Sequence, residues 1–131
     1  MWSENGNNNQ FWQKNPSDFR HLRHGSGLCL TAVAVQQDSG LVLSECRVDE
    51  KQQWREDSAG RFHLLANPNL CLDYKGQTQD NGALVLWACN GDWNQQFIRD
   101  GAQLTTRRNT AFAVESAENV SGASVRIWSR D

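Results

Sequence analysis

The stretch LCLDYKGQTQDNGALVLWACNGDWNQQF, Leu70 to Phe97, decides how this chain folds, because its closing phrase of Gln, any residue, aromatic occurs twice more. The same close ends MWSENGNNNQFW, Met1 to Trp12, and stands again as Gln52-Gln53-Trp54. Trp12 and Trp54 are 42 residues apart, and Trp54 and Phe97 are 43 apart. A fixed period of this size marks a repeat architecture, in which one supersecondary unit cannot bury its apolar face alone and must pack on its neighbours. With 131 residues the chain holds three such units. Propeller blades share the period but need about four copies, so a propeller is excluded.

Apolar residues fall in short runs such as Leu41 to Leu43, Phe62 to Leu65 and Ala83 to Trp87, separated by clusters of Gly, Asn, Asp and Ser. Such runs read as many short strands, and no sustained 3.6-residue periodicity supports helices. The expectation is one all-β domain over residues 1–131, in which three four-strand repeats close into a barrel-like body with threefold pseudosymmetry.

Cys29 and Cys46 lie 17 residues apart in the first repeat, and Cys71 and Cys89 lie 18 apart at matching places in the second. The third repeat lacks both: Ala113 stands at the first position, and Arg130 or Glu4 at the second. Joint loss of both members is what a pairwise bond predicts. Disulfides Cys29–Cys46 and Cys71–Cys89 are therefore expected, each worth roughly 3 kcal/mol through closure of a short loop. They imply an oxidising compartment and hence secretion, although Met1 is followed at once by Trp2, Ser3 and Glu4 rather than by a leader pattern. A zinc site is a poor alternative, since no CxxC spacing occurs.

Charge excludes other classes. The net charge is −2 with both signs interspersed, so no electrostatic footprint for nucleic acid is expected. The basic run RHLRH, Arg20 to His24, is short and flanked by Asp18; it reads as a solvated face. No apolar stretch approaches the roughly 20 residues of a membrane span. His21, His24 and His63 form no convincing ligand set, and neither a metal nor a cofactor is expected. No carboxylate or hydroxyl has an activating neighbour of the kind a nucleophile needs, so an enzyme is not expected.

With its Cys-Leu-Asp opening, its Leu-Trp-x-Cys-Asn-Gly middle and its Asn-Gln-x-aromatic close, the quoted stretch resembles one repeat of the ricin B-type β-trefoil lectins, and the resemblance extends over essentially the whole chain. It implies a β-trefoil that binds carbohydrate in shallow pockets, one per repeat. Such a pocket needs an aromatic face against the C–H face of a pyranose, a carboxylate to accept from adjacent hydroxyls, and an amide able to donate and accept at once. In the second repeat the resemblance assigns Asp73 as acceptor, Trp87 as platform, Asn94 as the amide and Gln95 as support, with Trp93 flanking the pocket. Val85 departs from the family's Gln two residues before the platform, which leaves the sugar open among galactose-type and related ligands.

The first repeat fails the same test, because Thr31, Ser44 and Lys51 stand where the acceptor, platform and amide should be. It is expected to be structural. The third repeat opens at the C-terminus, in Phe112 to Asp131, while its closing phrase sits at the N-terminus, as in a circularly permuted trefoil or a chain that exchanges ends with a second copy. Its pocket would use Glu115, Asn9, Gln10 and either Trp128 or Trp2. The expected function is a non-catalytic lectin or binding module for galactosides or a polysaccharide, weak per site. Useful strength would come from an oligomer or attachment to a larger toxin or glycosidase. The competing expectation is a trefoil that binds protein through its loops.

Overall fold

The computed structural model describes residues 12–15, 18–24, 26–75, 79–100, 103–116, 118 and 120–129. Twelve strands run through them: β1 (Trp12–Asn15), β2 (Asp18–His24), β3 (Cys29–Ala32), β4 (Leu41–Ser44), β5 (Trp54–Glu56), β6 (Phe62–Leu64), β7 (Asn67–Asp73), β8 (Val85–Ala88), β9 (Phe97–Asp100), β10 (Gln103–Thr106), β11 (Phe112–Ser116) and β12 (Val125–Ser129). They form three antiparallel sheets in the orders β1-β2-β3-β4, β5-β6-β7-β8 and β9-β10-β11-β12. Each sheet begins at the aromatic residue of a Gln-x-aromatic phrase. The third unit is therefore contiguous in its strands, all of which lie within Phe97–Ser129. Any division between the termini concerns only the closing phrase before Trp12, which lies outside the described residues.

Threefold repetition is visible in the core. Leu30 pairs with Leu43, Leu72 with Leu86, and Val114 with Ile127, and all six are buried. Leu22, Phe62 and Leu104 fill a further layer from the second strand of each unit. With period-2 alternation, the residues between these turn outward, so one face of each sheet builds the core and the other carries the sites. Removing these side chains from water is the main driving force for closure.

The units lock in a ring. The hairpin loop before each fourth strand reaches the fourth strand of the next unit: Leu86 N–H donates to Ser39 O, Ile127 N–H to Gly82 O, and Leu43 N–H to Ala123 O. The residue preceding each of these acceptors has positive φ, at Asp38 (68°), Asn81 (62°) and Gly122 (91°). Those are residue types that tolerate the left-handed region. Because the third loop returns to the first unit, the ring closes within one chain. This is a β-trefoil.

Gly60 ties the second unit to the third. Its φ is +88°, and an added Cβ would sit 2.5 Å from the carbonyl oxygen of Phe97, whose N–H donates to Gly60 O. Only glycine fits there. Trp54 and Phe97 are buried; the Trp54 indole donates to Leu30 O, and Phe97 packs edge-on against Phe62 and Tyr74. The basic run is not simply a solvated face: of its described side chains His21, Leu22 and His24 are buried and Arg23 is exposed, with Leu22 in the core and the two imidazoles meeting Arg47 O and Glu115. Among the described residues no helix is long and apolar enough to cross a membrane.

Candidate functional site

Both expected disulfides are present, Cys29–Cys46 and Cys71–Cys89, with Cα separations of 5.2 and 5.1 Å. The strands that carry Cys71 and Trp87 border an open pocket of about 380 Å³ lined by Asp73, Lys75, Trp87, Asn90, Trp93 and Asn94. Its construction follows from strand register. Cys71 pairs with Trp87 and Asp73 with Val85, so Asp73 and Trp87 are diagonal neighbours on the outward face of β7 and β8. Val85 and Trp87 alternate with buried Leu84 and Leu86. Trp87 keeps 37% of its surface exposed and Trp93 keeps 40%, which leaves two large apolar side chains open at one pocket.

Asp73 is the reverse, a carboxylate only 2% exposed. Lys75 N–H donates to Oδ1 at 2.6 Å, Asn94 Nδ2 donates to both oxygens at 2.9 and 3.0 Å, and Gln95 Nε2 donates to Oδ2 at 3.1 Å. A carboxylate offers about four acceptor positions. The two Asn94 contacts share one amide, so a ligand hydroxyl can take one over while the other persists. The pair Asp73 and Asn94 is thus a fixed acceptor and a polarised amide at the pocket floor.

Gln95 is fully buried and holds the pocket together. Besides Asp73, its Nε2 donates to Ala88 O, and its Oε1 accepts from Asn90 N–H. Gln52 does the same in the first unit, donating to Glu45 O and accepting from Arg47 N–H. The Gln of the repeated phrase therefore ties the loop after the fourth strand to the 3-10 turn that ends the unit, formed here by Trp93–Gln95.

Three further anchors were not among the residues singled out from the sequence. Tyr74, fully buried, donates its hydroxyl to Trp93 O and accepts from Arg108 N–H. Burial pushes its phenol pKa up. Arg61 donates to Asn90 O and, through Nε, to Asp57 Oδ2 at 2.8 Å. Asp57 also accepts from His63 Nε2 and from the N–H groups of Ala59 and Arg61. Burial alone would raise the Asp57 pKa, but the hydrogen bonds from His63, Arg61 and Ala59 outweigh it and hold the carboxyl well below the usual range. His63 Nδ1 meets Pro68 O beside the disulfide at Cys89. His63, Cys71 and Cys89 come close together, but both sulfurs are committed to the disulfide.

The other two units differ. In the first, Thr31 Oγ1 donates to the Cys29 carbonyl, Ser44 takes a bond from Arg47, and only Gln52 keeps its place. In the third, Glu115 Oε1 accepts from Ser116 N–H and faces buried His24 Nε2 at 3.3 Å across the unit boundary. Trp128 sits opposite Ala113 on β12, and among the described residues its Nε1 is buried without a partner. Trp2, Asn9 and Gln10 lie outside the described residues, so of the residues expected to form a third site only Glu115 and Trp128 can be placed.

The family model described as the ricin-type beta-trefoil lectin domain matches residues 1–97 and 58–131. No curated protein sequence matches the chain. Among solved structures it is similar to a designed threefold-symmetric protein, ThreeFoil, at TM-score 0.71 and 19% identity over 81% of this chain and 84% of that one. The C-half of an earthworm R-type lectin, solved in complex with GalNAc, matches at TM-score 0.67 and 12% identity over 80% and 82%. The β-trefoil lectin of the Vibrio vulnificus hemolysin/cytolysin, solved with N-acetyl-D-lactosamine bound, matches at 0.64 and 18% over 85% and 82%. At these identities the structural likeness speaks for the fold.

Proposed function

We infer the function of this chain from the premise that it belongs to the ricin-type beta-trefoil lectin domain family, a family of carbohydrate-binding domains. The second-unit pocket binds one galactose-type sugar without catalysis. Trp87 supplies the platform for the apolar face of the ring, and Asp73 with Asn94 takes the adjacent hydroxyls. Gln95, Tyr74 and the Asp57–Arg61–His63 clamp position these groups and touch no ligand. Trp93 forms the second wall and meets whatever is linked to the stacked sugar.

One observation carries this reading: a half-exposed tryptophan stands beside a buried carboxylate whose donors are already fixed, inside one open pocket. Sugar binding needs both, because stacking alone is unselective and hydroxyl contacts alone scarcely repay desolvation. The third unit is the lesser candidate, since its carboxylate Glu115 faces the His24 imidazole where Asp73 faces the Asn94 amide. Two disulfides fit a secreted protein. Affinity at one shallow site is weak, so function depends on display in several copies, as an oligomer or within a larger protein. A glycan array probed with the intact chain and with Trp87→Ala tests this. Galactoside signal that disappears in the variant supports it; signal independent of Trp87, or none, overturns it.

A further inference from the structure

The pocket carries a cation that neutral-sugar recognition leaves unused. Lys75 follows Asp73 by two residues, donates its N–H to that carboxylate and has φ of 52°. Its backbone is therefore fixed at the pocket rim. From there the ammonium reaches 5.4 Å from the centroid of the Trp87 ring and 3.6 Å from Asp38 Oδ1, on the hairpin loop of the first unit. A second cation, the Arg108 guanidinium, lies 4.1 Å from the Trp93 ring centroid. Each aromatic wall thus has a positive charge against it.

The acidic groups nearby are placed differently. Asp73 keeps its charge but is 2% exposed and accepts four hydrogen bonds from neutral amide donors, and Asp92, exposed at the head of the 3-10 turn, does not line the pocket. Asp38 pairs with Lys75, but the two side chains are 65% and 42% exposed. An ion pair in water at such exposure is worth little and does not hold the lysine back. A pyranose lying on Trp87 must displace the ammonium or bond to it. A neutral ring exchanges the cation–π contact for a bond from the ammonium to an uncharged hydroxyl, whereas an anionic substituent gives one in which donor and acceptor are both charged.

Building on the galactoside reading of this pocket, we propose that Lys75 sorts ligands by charge and that the preferred ligand is a galactose-type glycan bearing a sulfate or carboxylate next to the stacked ring. The test is titration of the intact chain with lactose, 3′-sulfated lactose and 3′-sialyllactose at two salt concentrations. At least one anionic ligand is expected to bind about five- to tenfold tighter than lactose, with the advantage shrinking as salt rises. The two anionic arms separate sulfate from carboxylate as the source of charge. In Lys75→Gln the ratio of anionic to neutral affinity falls to about one, while Lys75→Arg retains part of it and shows that the pocket is still folded. Asp38→Asn leaves the ratio close to its original value, because that exposed pair holds the ammonium only weakly. Lactose equal to or tighter than both anionic ligands overturns the proposal, as does a ratio unchanged in Lys75→Gln or one abolished only in Arg108→Gln. If no ligand binds, lactose included, the galactoside reading fails and this proposal with it.

Discussion

The first and second units share a frame and differ in what hangs on it. Gln52 and Gln95 make the same two bonds to the loop before them, and each unit has its disulfide at the same strand position. Yet Thr31, Ser44 and Lys51 replace Asp73, Trp87 and Asn94. A trefoil unit can therefore lose its pocket chemistry while keeping its fold, because the glutamine tie and the disulfide are made by residues other than those three. Recognition and stability are separable in the first unit. In the second they meet at Gln95, which bonds both the loop and Asp73.

That difference can be probed by making the same kind of change in both units. The largest effect is expected from Trp87→Ala, which should weaken galactoside binding about a hundredfold through loss of the stacking face. Ser44→Ala at the matching position should leave binding unchanged, and titration of both variants checks this. Next come the disulfides. Replacing either pair by Ser should cost roughly 3 kcal/mol in denaturant unfolding, but only loss of Cys71–Cys89 should also impair binding, since it frees the strand behind Trp87. Gln95→Ala and Gln52→Ala should each cost about 2 kcal/mol by stranding a buried N–H and carbonyl. Of the two, only Gln95→Ala should reduce affinity, because Asp73 loses a donor.

The smallest effect concerns acid. The folded state holds Asp57 in its ionised form well below the usual carboxylate range. Its contribution is therefore complete above the unfolded-state pKa of about 4 and is lost as pH falls below it. Asp57→Asn should cost about 1 kcal/mol near neutral pH and should flatten the fall in stability between neutral pH and about pH 3. Unfolding curves at the two pH values check this; an equally steep fall in the variant would place the acid sensitivity elsewhere.

Much of the fold was legible because a trefoil writes its symmetry into the chain. The Gln-x-aromatic period marked where each sheet begins, and the paired cysteines marked a strand and the loop after its partner strand. That Asp73, Trp87 and Asn94 would share one pocket, with Gln95 buried in support of it, was legible in the sequence from residue type. Lys75 and Asn90 were not, since their places depend on a positive-φ residue after Asp73 and on a loop held by Arg61. Tyr74 reads as one more core aromatic; only the backbone it meets, at Trp93 and Arg108, gives it a positioning role. Likewise, Glu115 matched a site position by type, but its partner His24 comes from another unit 91 residues away. A charged pair across units leaves no local pattern.

The most direct test of the account is a nuclear magnetic resonance titration of the isotopically labelled chain with lactose, following the tryptophan indole and side-chain amide signals. The Trp87 and Trp93 indoles and the Asn94 amide should shift together along one binding curve, while the Trp54 indole, bonded to Leu30 O, and the Gln52 amide stay still. Shifts in the first unit, or a Trp87 signal that does not move as lactose binds, would contradict it.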